Sequence, residues 1–454
     1  MKKPNLILAG GDFLLAALIP ALVGMFLAML SGRSMPTSFS HGLGQSLVFG
    51  LTVVFSTYFA ELYRGDRRFR WKETCVRILI AGLMAFLILL LFYAVTPQSQ
   101  WLPGQLVLVL AGVGLAQLLW HYRYPILLRF PWISQNVMVL GTGARAREVA
   151  GLIDSEQNPF VFKGYIHPEN VVDESTEESV CCKMEKLKEL IRRNQVKKLV
   201  LALTERRGVL PVGDILWCKL HGVEVIDSVT FYEKVTGKLK LEDITPSWFI
   251  FSDGFCVTRY VLWQKRVFSI LLSGVGILLA LPIFPLVALL IKLESPGPVF
   301  FCQERVGFGG RVFRTYKFRT MRQDAEQETG AVWAQSNDPR ITRVGRFLRK
   351  SRIDEIPQLF NVFKGDMSFV GPRPERPEFV AMLTRKIPYY GSRHAVKPGL
   401  TGWAQVRYPY GASVEDALEK LRYDLYYIKN YSPFLDIVIV LETVKVVLFA
   451  RGSR

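Results

Sequence analysis

Two adjacent carboxylates, Asp354 and Glu355, stand in the run Ser351-Arg352-Ile353-Asp354-Glu355-Ile356-Pro357. Arg340, Arg343, Arg346, Arg349 and Lys350 precede them, and Gly371-Pro372-Arg373-Pro374 follows. Carboxylates and guanidinium groups converging on one place suit phosphoryl transfer, in which cations neutralise a diphosphate, a carboxylate holds Mg²⁺ and an oxygen nucleophile attacks phosphorus in line. Upstream lie Ser295-Pro296-Gly297-Pro298-Val299-Phe300-Phe301, Gln303-Glu304-Arg305-Val306-Gly307 and Tyr316-Lys317-Phe318-Arg319-Thr320-Met321. Their glycines let backbone approach a ligand closely, and basic side chains such as Lys317 and Arg319 donate to phosphate oxygens. Plainer readings stand beside these. An acidic pair in the first turn of a helix is often a dipole partner, here with Ser351 three residues before Asp354 as a capping box would place it, and basic residues beside a membrane bind anionic headgroups.

The elements that must position these residues begin with a membrane portion. The chain has 454 residues, 50% of them hydrophobic, and a mean hydropathy of +0.22, too long for one ordinary domain and too apolar for an ordinary cytosolic protein. Its net charge of +18 suits anionic headgroups, phosphate-bearing substrates or nucleic acid without choosing among them. The cysteines form no CxxC pair and no metal-like spacing with the histidines, so they read as reduced thiols. Apolar stretches at 6–31, 43–63, 76–95 and 102–122 are each long enough to cross the bilayer as a helix, and none carries the polar stripe of a soluble bundle. No small-residue cleavage site follows the first stretch, which reads as an anchor. Lys2 and Lys3 precede the first helix, and Arg64, Arg67, Arg68, Arg70, Lys72 and Arg77 fill the second connection, whereas the first has only Arg33 and the third, 96–101, has no basic residue. The positive-inside bias therefore puts the N-terminus, the second loop and everything after residue 123 in the cytoplasm.

From 136 to 250 the composition is that of an α/β unit, with strands expected at Val137 to Leu140, Phe160 to Tyr165, Lys198 to Leu203 and Val223 to Ile226. Gly141-Thr142-Gly143-Ala144-Arg145-Ala146 fits GxGxxA at a strand-to-helix turn. An NAD site also wants an acid at the end of the second strand, where His167 follows Gly164-Tyr165-Ile166. The unit therefore reads as structural or regulatory rather than redox.

The apolar run Val267 to Ile291 is flanked by Lys265 and Arg266 at its start and Lys292 at its end. If it crossed, it would export the segment 303–350, which holds eleven basic against five acidic residues. A helix broken at Pro282 and Pro285 that returns to the cytoplasmic face fits better than a kinked fifth spanning helix.

The stretch from 263 to 449 resembles the catalytic module of the monotopic polyprenyl-phosphate phosphoglycosyl transferases, bacterial sugar transferases that begin exopolysaccharide, capsule and O-antigen synthesis. The resemblance is carried in order by Lys265-Arg266, the proline-broken hairpin, SPGPVFF, QERVG, YKFRTM, NDPRITRVGRFLRKSRIDEIPQLFNVFKGDMSFVGPRP and KPGLTGWAQV. With the helices and α/β unit in front, the chain looks like the large branch of the family, as in the undecaprenyl-phosphate glucose and galactose phosphotransferases. The resemblance implies a four-helix transmembrane domain over 1–130, a Rossmann-like cytosolic domain over 136–250, a re-entrant membrane helix over 263–293 and an α/β catalytic domain over 294–454. It implies that Asp354 attacks the sugar-bearing phosphorus of a UDP-sugar, expels UMP and passes the phosphosugar to undecaprenyl phosphate in the bacterial inner membrane, with no nucleic acid involved. Glu355, with Asp354, would hold Mg²⁺, Arg349 and Arg373 would position phosphates, and the large branch implies a homodimer. Two positions depart from the family pattern. Leu281-Pro282 replaces a Ser-Pro at the kink, and Val406 is followed by Arg407-Tyr408-Pro409 where many members have Asn-Gly-Arg, leaving Arg407 as the candidate for that substrate-contacting arginine.

Two rival readings remain. A membrane-bound nucleotide-sugar dehydratase or epimerase would need NAD and a Tyr-xxx-Lys pair, yet Tyr232 is followed four residues on by Thr236. A non-enzymatic scaffold for polysaccharide assembly would make the carboxylate pair only a helix start.

Overall fold

The computed structural model describes residues 3–31, 43–60, 62–63, 71–95, 103–128, 135–154, 160–167, 181–183, 187–203, 211–244, 246–255, 257–322, 325, 338–409, 411 and 413–448. Lys2, Arg33, the basic connection Arg64, Arg67, Arg68 and Arg70, and the connection 96–101 lie outside them. The chain divides into two compact units, Met1–Ser228 and Val229–Arg454.

The first unit opens with helices α1 (Lys3–Ser31), α2 (Leu43–Phe59), α3 (Trp71–Val95) and α4 (Pro103–Leu128). Three contain spans long and apolar enough to cross a membrane, Leu6–Phe26, Glu73–Ala94 and Gly104–Tyr124, while α2 is shorter at 17 residues. Their outer faces are apolar: Leu79, Leu83, Leu87 and Leu91 form an exposed row on α3, and small residues such as Ala16, Ala81 and Ala85 turn inward. A helix apolar on its outside as well as its inside is built for lipid. The buried Asp12 accepts from the Tyr63 hydroxyl at 2.7 Å and lies 3.0 Å from His121 Nε2, tying α1 to the turn after α2 and to α4.

The remainder of this unit alternates strands and helices: β1 (Gln135–Leu140), α5 (Ala144–Asp154), β2 (Phe160–His167), β3 (Cys181–Lys183), α6 (Leu187–Arg193), β4 (Val196–Leu201), α7 (Val212–Leu220) and β5 (Glu224–Asp227). The strands pair in parallel in the order β3-β2-β1-β4-β5. Both faces of the sheet need cover, and the apolar run Val137 to Leu140 of β1 and the pair Leu199 and Val200 of β4 are fully buried. The short strand β3 carried no alternation to reveal it.

The second unit comprises α8 (Ser228–Thr236), shared with the boundary, then α9 (Pro246–Phe251), α10 (Arg259–Ala280), α11 (Ile283–Glu294), β6 (Phe300–Val306), β7 (Val312–Phe318), α12 (Arg343–Lys350), α13 (Gln358–Lys364), β8 (Ser368–Val370), α14 (Pro377–Lys386), β9 (Gly399–Thr401), α15 (Trp403–Arg407), α16 (Val414–Lys429) and α17 (Pro433–Leu448). The boundary falls earlier than the sequence composition suggests. Residues 229–250 were expected in the α/β domain, but Val229, Leu239, Leu241 and Ile244 share a core with Val370, Trp403 and Leu425, and Trp403 Nε1 donates to Gly237 O at 2.8 Å.

The long apolar run is two helices. Pro282 breaks it between Ala280 and Ile283, whereas Pro285 falls in the first turn of α11, where a missing N–H costs nothing. Both ends of the pair are fastened to the same unit. At the incoming end the buried Lys265 Nζ donates to Asp436 Oδ1 and Tyr427 Oη, both at 2.6 Å, and Arg266 takes the last carbonyls of α13, Val362 O and Phe363 O, at 2.7 Å. At the outgoing end Arg319 donates to Ser295 O and Pro296 O at 2.7 and 2.8 Å. Phe284 of α11 meets the rings of Phe318 and Phe360, so α13 lies against both legs.

Removing one partner of a buried ion pair leaves an uncompensated charge. Lys265→Met should therefore destabilise the protein by about 3–5 kcal/mol, and Lys265→Met with Asp436→Leu should recover most of that loss. Thermal unfolding midpoints in detergent micelles check the order wild type, double variant, single variant.

Candidate active site

The β6–β7 hairpin, the turn between α12 and α13, and the loop after β8 bring the chemistry-bearing residues together. Asp354 and Glu355 occupy a 3-10 turn, Ile353–Glu355, and not the first turn of an α-helix. Ser351 is no N-cap for them. It closes the C-terminus of α12, with its hydroxyl donating to Phe347 O at 2.8 Å. Arg352 then takes a left-handed conformation, φ 60°, which a side chain with a Cβ adopts at a cost of about 1–2 kcal/mol. That one residue reverses the chain sharply enough for the acids to turn inward between two helices.

Glu355 is the electrostatic hub. Its Oε1 accepts from Lys317 Nζ on β7 at 2.9 Å and from Arg373 Nη2 at 2.6 Å, and its Oε2 lies 4.0 Å from Arg352 Nη1. Burial alone would raise its pKa, but Arg373 and Lys317 overcome that and hold the carboxyl well below the usual range. Asp354 goes the other way. Only 7% exposed, it is raised by burial, with Lys317, Arg349 and Arg373 opposing and the neighbouring Glu355 charge adding to the rise. Its Oδ1 is buried with no hydrogen-bond partner. Two adjacent acids thus carry different duties: Glu355 is committed to the cations, and Asp354 keeps an oxygen with lone pairs free. Burial lowers Lys317, and Glu355 opposes that shift.

The supporting residues were only partly visible in the sequence. Arg393 spreads its guanidinium over Tyr390 Oη, Asp424 Oδ2 and the carbonyl of Arg373 at 2.6, 2.8 and 2.9 Å, holding the backbone that presents Arg373. Arg349 Nε donates to Thr320 Oγ1 at 2.9 Å, and Arg305 Nη1 to Pro374 O at 3.1 Å. Thr320 and Arg305 had a signal in their places in YKFRTM and QERVG, and Arg349 was itself a candidate, whereas Tyr390, Arg393 and Asp424 had none.

Five expected residues gather here: Asp354, Glu355, Lys317, Arg349 and Arg373. Two do not. Arg319, expected to bind substrate, is 6% exposed and spends its guanidinium on Ser295 and Pro296. Arg407 lies exposed over the Trp403 ring, 4.4 Å from its centroid, where the groups feeling its charge include Tyr423 and Tyr426. Pro282 stands between α10 and α11.

Residues 260–450 match the family described as Bacterial sugar transferase. Over 237 residues the chain is 46% identical to the UDP-N-acetylgalactosamine-undecaprenyl-phosphate N-acetylgalactosaminephosphotransferase of Aeromonas hydrophila, covering 52% of this chain and 55% of that protein. It is 33% identical over 329 residues to the undecaprenyl-phosphate glucose phosphotransferase of Komagataeibacter xylinus, covering 71% and 60%. It is 44% identical over 185 residues to the exopolysaccharide production protein PSS of Rhizobium leguminosarum bv. phaseoli, covering 40% and 92%. The matches thus span little more than half the length of the first two relatives.

A charge-assisted hydrogen bond to phosphate is worth about 1.5–3 kcal/mol, so Arg373→Ala should weaken binding of pyrophosphate about tenfold or more, while Arg407→Ala should leave it within about twofold. The rise in unfolding temperature with added pyrophosphate reads both affinities.

Proposed function

This chain belongs to the bacterial sugar transferase family, and from that premise we propose that it transfers a sugar-1-phosphate from a UDP-sugar to undecaprenyl phosphate. The observation that carries the reading is the unpartnered, buried Asp354 oxygen beside a Glu355 already neutralised by Lys317 and Arg373. Asp354 attacks the sugar-bearing phosphorus, the bond from that phosphorus to the bridging oxygen breaks, and UMP leaves with the bond's electron pair. The product is an acyl phosphate joining Asp354 to the phosphosugar. A phosphate oxygen of undecaprenyl phosphate then attacks the same phosphorus, the Asp354–phosphorus bond breaks, and the carboxylate is restored. One difficult displacement becomes two easier ones.

Lys317, Arg349 and Arg373 supply the cations that the diphosphate needs, and Arg373 is held by Arg393 for that purpose. The carboxylates also fit Mg²⁺. Carboxylate oxygens are the donors that Mg²⁺ takes, usually one or two of them with substrate oxygens completing its shell. Asp354 and Glu355 would hold it, and when bound it supplies neutralisation of diphosphate charge.

The α10–α11 pair is read as a re-entrant hairpin. The 22 residues of α10 reach roughly 33 Å and the 12 of α11 roughly 18 Å, and both ends are tied to one catalytic body, which supports a return to the side of departure. The four-helix bundle is then a transmembrane domain in the bacterial inner membrane, with the Rossmann-like and catalytic units cytoplasmic by the positive-inside bias. The names of the relatives suggest N-acetylgalactosamine or glucose as the sugar, and the PSS relative suggests exopolysaccharide synthesis as the setting. Homodimerisation remains part of the proposal from the large-branch resemblance alone.

UMP release from UDP-N-acetylgalactosamine and UDP-glucose in the presence of Mg²⁺, with and without undecaprenyl phosphate, tests the reaction. Wild type should release UMP and carry a phosphosugar mass on the Asp354 peptide, Asp354→Asn should do neither, and withdrawal of Mg²⁺ should stop both. Release with equal rate by Asp354→Asn would refute the covalent step.

The pH profile gives a second test. Because Asp354 titrates above the ordinary aspartate range, the rate should fall about tenfold per pH unit once the pH drops below that raised value and the carboxyl protonates. Lys317→Met removes a cation that lowers Asp354, so the acid limb should move to higher pH. An unmoved limb would detach Lys317 from the nucleophile.

A further inference from the structure

We propose that Arg319 is a positioning residue that locks the outgoing end of the α10–α11 hairpin to the strand carrying Lys317, so that the seating of the helix pair sets the geometry around the nucleophile. The inference rests on the transferase reading above.

Arg319 lies two residues beyond Lys317, and its backbone N–H donates to Val299 O at 2.9 Å. Its guanidinium takes Pro296 O at 2.8 Å with Nη1, and Ser295 O and Ser295 Oγ at 2.7 and 2.9 Å with Nη2. A planar, permanently charged fork can hold two successive carbonyls in fixed register, which a lysine ammonium cannot. Next to it, Thr320 Oγ1 accepts from Arg349 and Thr320 O accepts from Thr342 N. Gly345 of α12 sits so close that a Cβ there would stand 2.0 Å from Thr320 O. The clamp therefore continues without slack into the helix bearing Arg349.

A second joint repeats the connection. Glu294, the last residue of α11, accepts from Arg343 N and Val344 N at 2.6 and 2.9 Å, capping α12 with a carboxylate where the helix dipole favours one. Between the joints, Val287 and Ile291 of α11 share a core with Phe318, Leu348 and Ile353. Phe318 follows Lys317, and Ile353 precedes Asp354. The opposite side of α11 exposes Leu286, Leu289 and Leu293. One short helix thus presents an apolar row outward and carries the floor of the site on its inner face. The exposed row is what a bilayer would grip.

The test is single-turnover UMP release by the full chain in lipid nanodiscs, using UDP-N-acetylgalactosamine or UDP-glucose, whichever wild type turns over, without lipid acceptor. Burst amplitude counts folded, reactive molecules, and burst rate reports geometry. Arg319→Met should slow the saturated rate about 10- to 100-fold, the scale of a small misplacement of reacting groups. Amplitude should stay full, and the sugar nucleotide concentration giving half the maximal rate should remain within about threefold of wild type, because the residue does not touch substrate. Arg319→Lys should recover part of the rate. Glu294→Gln, at an exposed position that keeps the fold if Arg319→Met does not, should show the same pattern with a smaller loss.

A raised half-saturating concentration with an unchanged saturated rate would make Arg319 a substrate ligand and overturn the proposal. So would lowered amplitude at wild-type rate in the Arg319 and Glu294 variants, which would mean that the joint serves folding alone. An inactive wild type is a different failure, since it removes the transferase reading itself.

Discussion

Glu355 is where charges of opposite sign are brought out of water together, and the rest of the site is arranged around keeping them paired. A buried carboxylate is expensive unless opposite charges and hydrogen bonds repay its lost hydration. Lys317 comes from a β-hairpin, Arg373 from the loop after a short parallel strand, and Glu355 from a 3-10 turn, so pairing them pins three segments distant in sequence. It also leaves Asp354 in an unusual position. Its neighbour has taken the nearest cationic donors, so its own Oδ1 is left without a hydrogen-bond donor in a place from which water is mostly excluded.

The turn that carries the acids needs firm walls, and the left-handed Arg352 shows that the local backbone would not choose this path unaided. The walls come from α12, whose end is closed by Ser351, and from α13, whose carbonyls are taken by Arg266. Arg266 belongs to α10. The apolar helix pair and the turn that carries the acids are therefore consecutive parts of one packed body, not an anchor with a separate domain attached.

Much of this was legible in the sequence, for identifiable reasons. Long apolar runs declare helices, closely spaced prolines between charged flanks declared the break at Pro282, and the acidic pair with Lys317, Arg349 and Arg373 stood out because charge density is visible without a fold. What failed was assigning duties to individual charges. Lys317 stands on β7 and Arg319 just beyond its end, yet Arg319 spends its donors on Ser295 and Pro296 while Lys317 reaches Glu355. No local pattern separates them, since the deciding partner is a carbonyl more than twenty residues away. Ser351 misled in the same way: its spacing from Asp354 fits a capping box, but the helix it serves lies before it. Arg393 and Asp424 were hidden because a buried ion pair joining a 3-10 turn to a long helix leaves no periodicity to read.

The α/β portion of the first unit shows the opposite case, a motif whose structural setting is right while its chemistry is incomplete. Gly141 sits between β1 and α5 with φ 121°, and a side chain there would press on Ala202 O at 3.0 Å, so glycine is required by the backbone and by packing alone. The sheet order places this turn where a doubly wound fold would receive a phosphate. Yet β2 ends in His167, not an acid that could grip a ribose. The glycine demands of such a turn are met whether or not a nucleotide binds, so the motif carries information about folding before it carries any about redox chemistry. The second unit holds the more specific signal, a buried carboxylate oxygen without a donor, which leaves one identified hydrogen-bond acceptor unsatisfied where a glycine pattern identifies none.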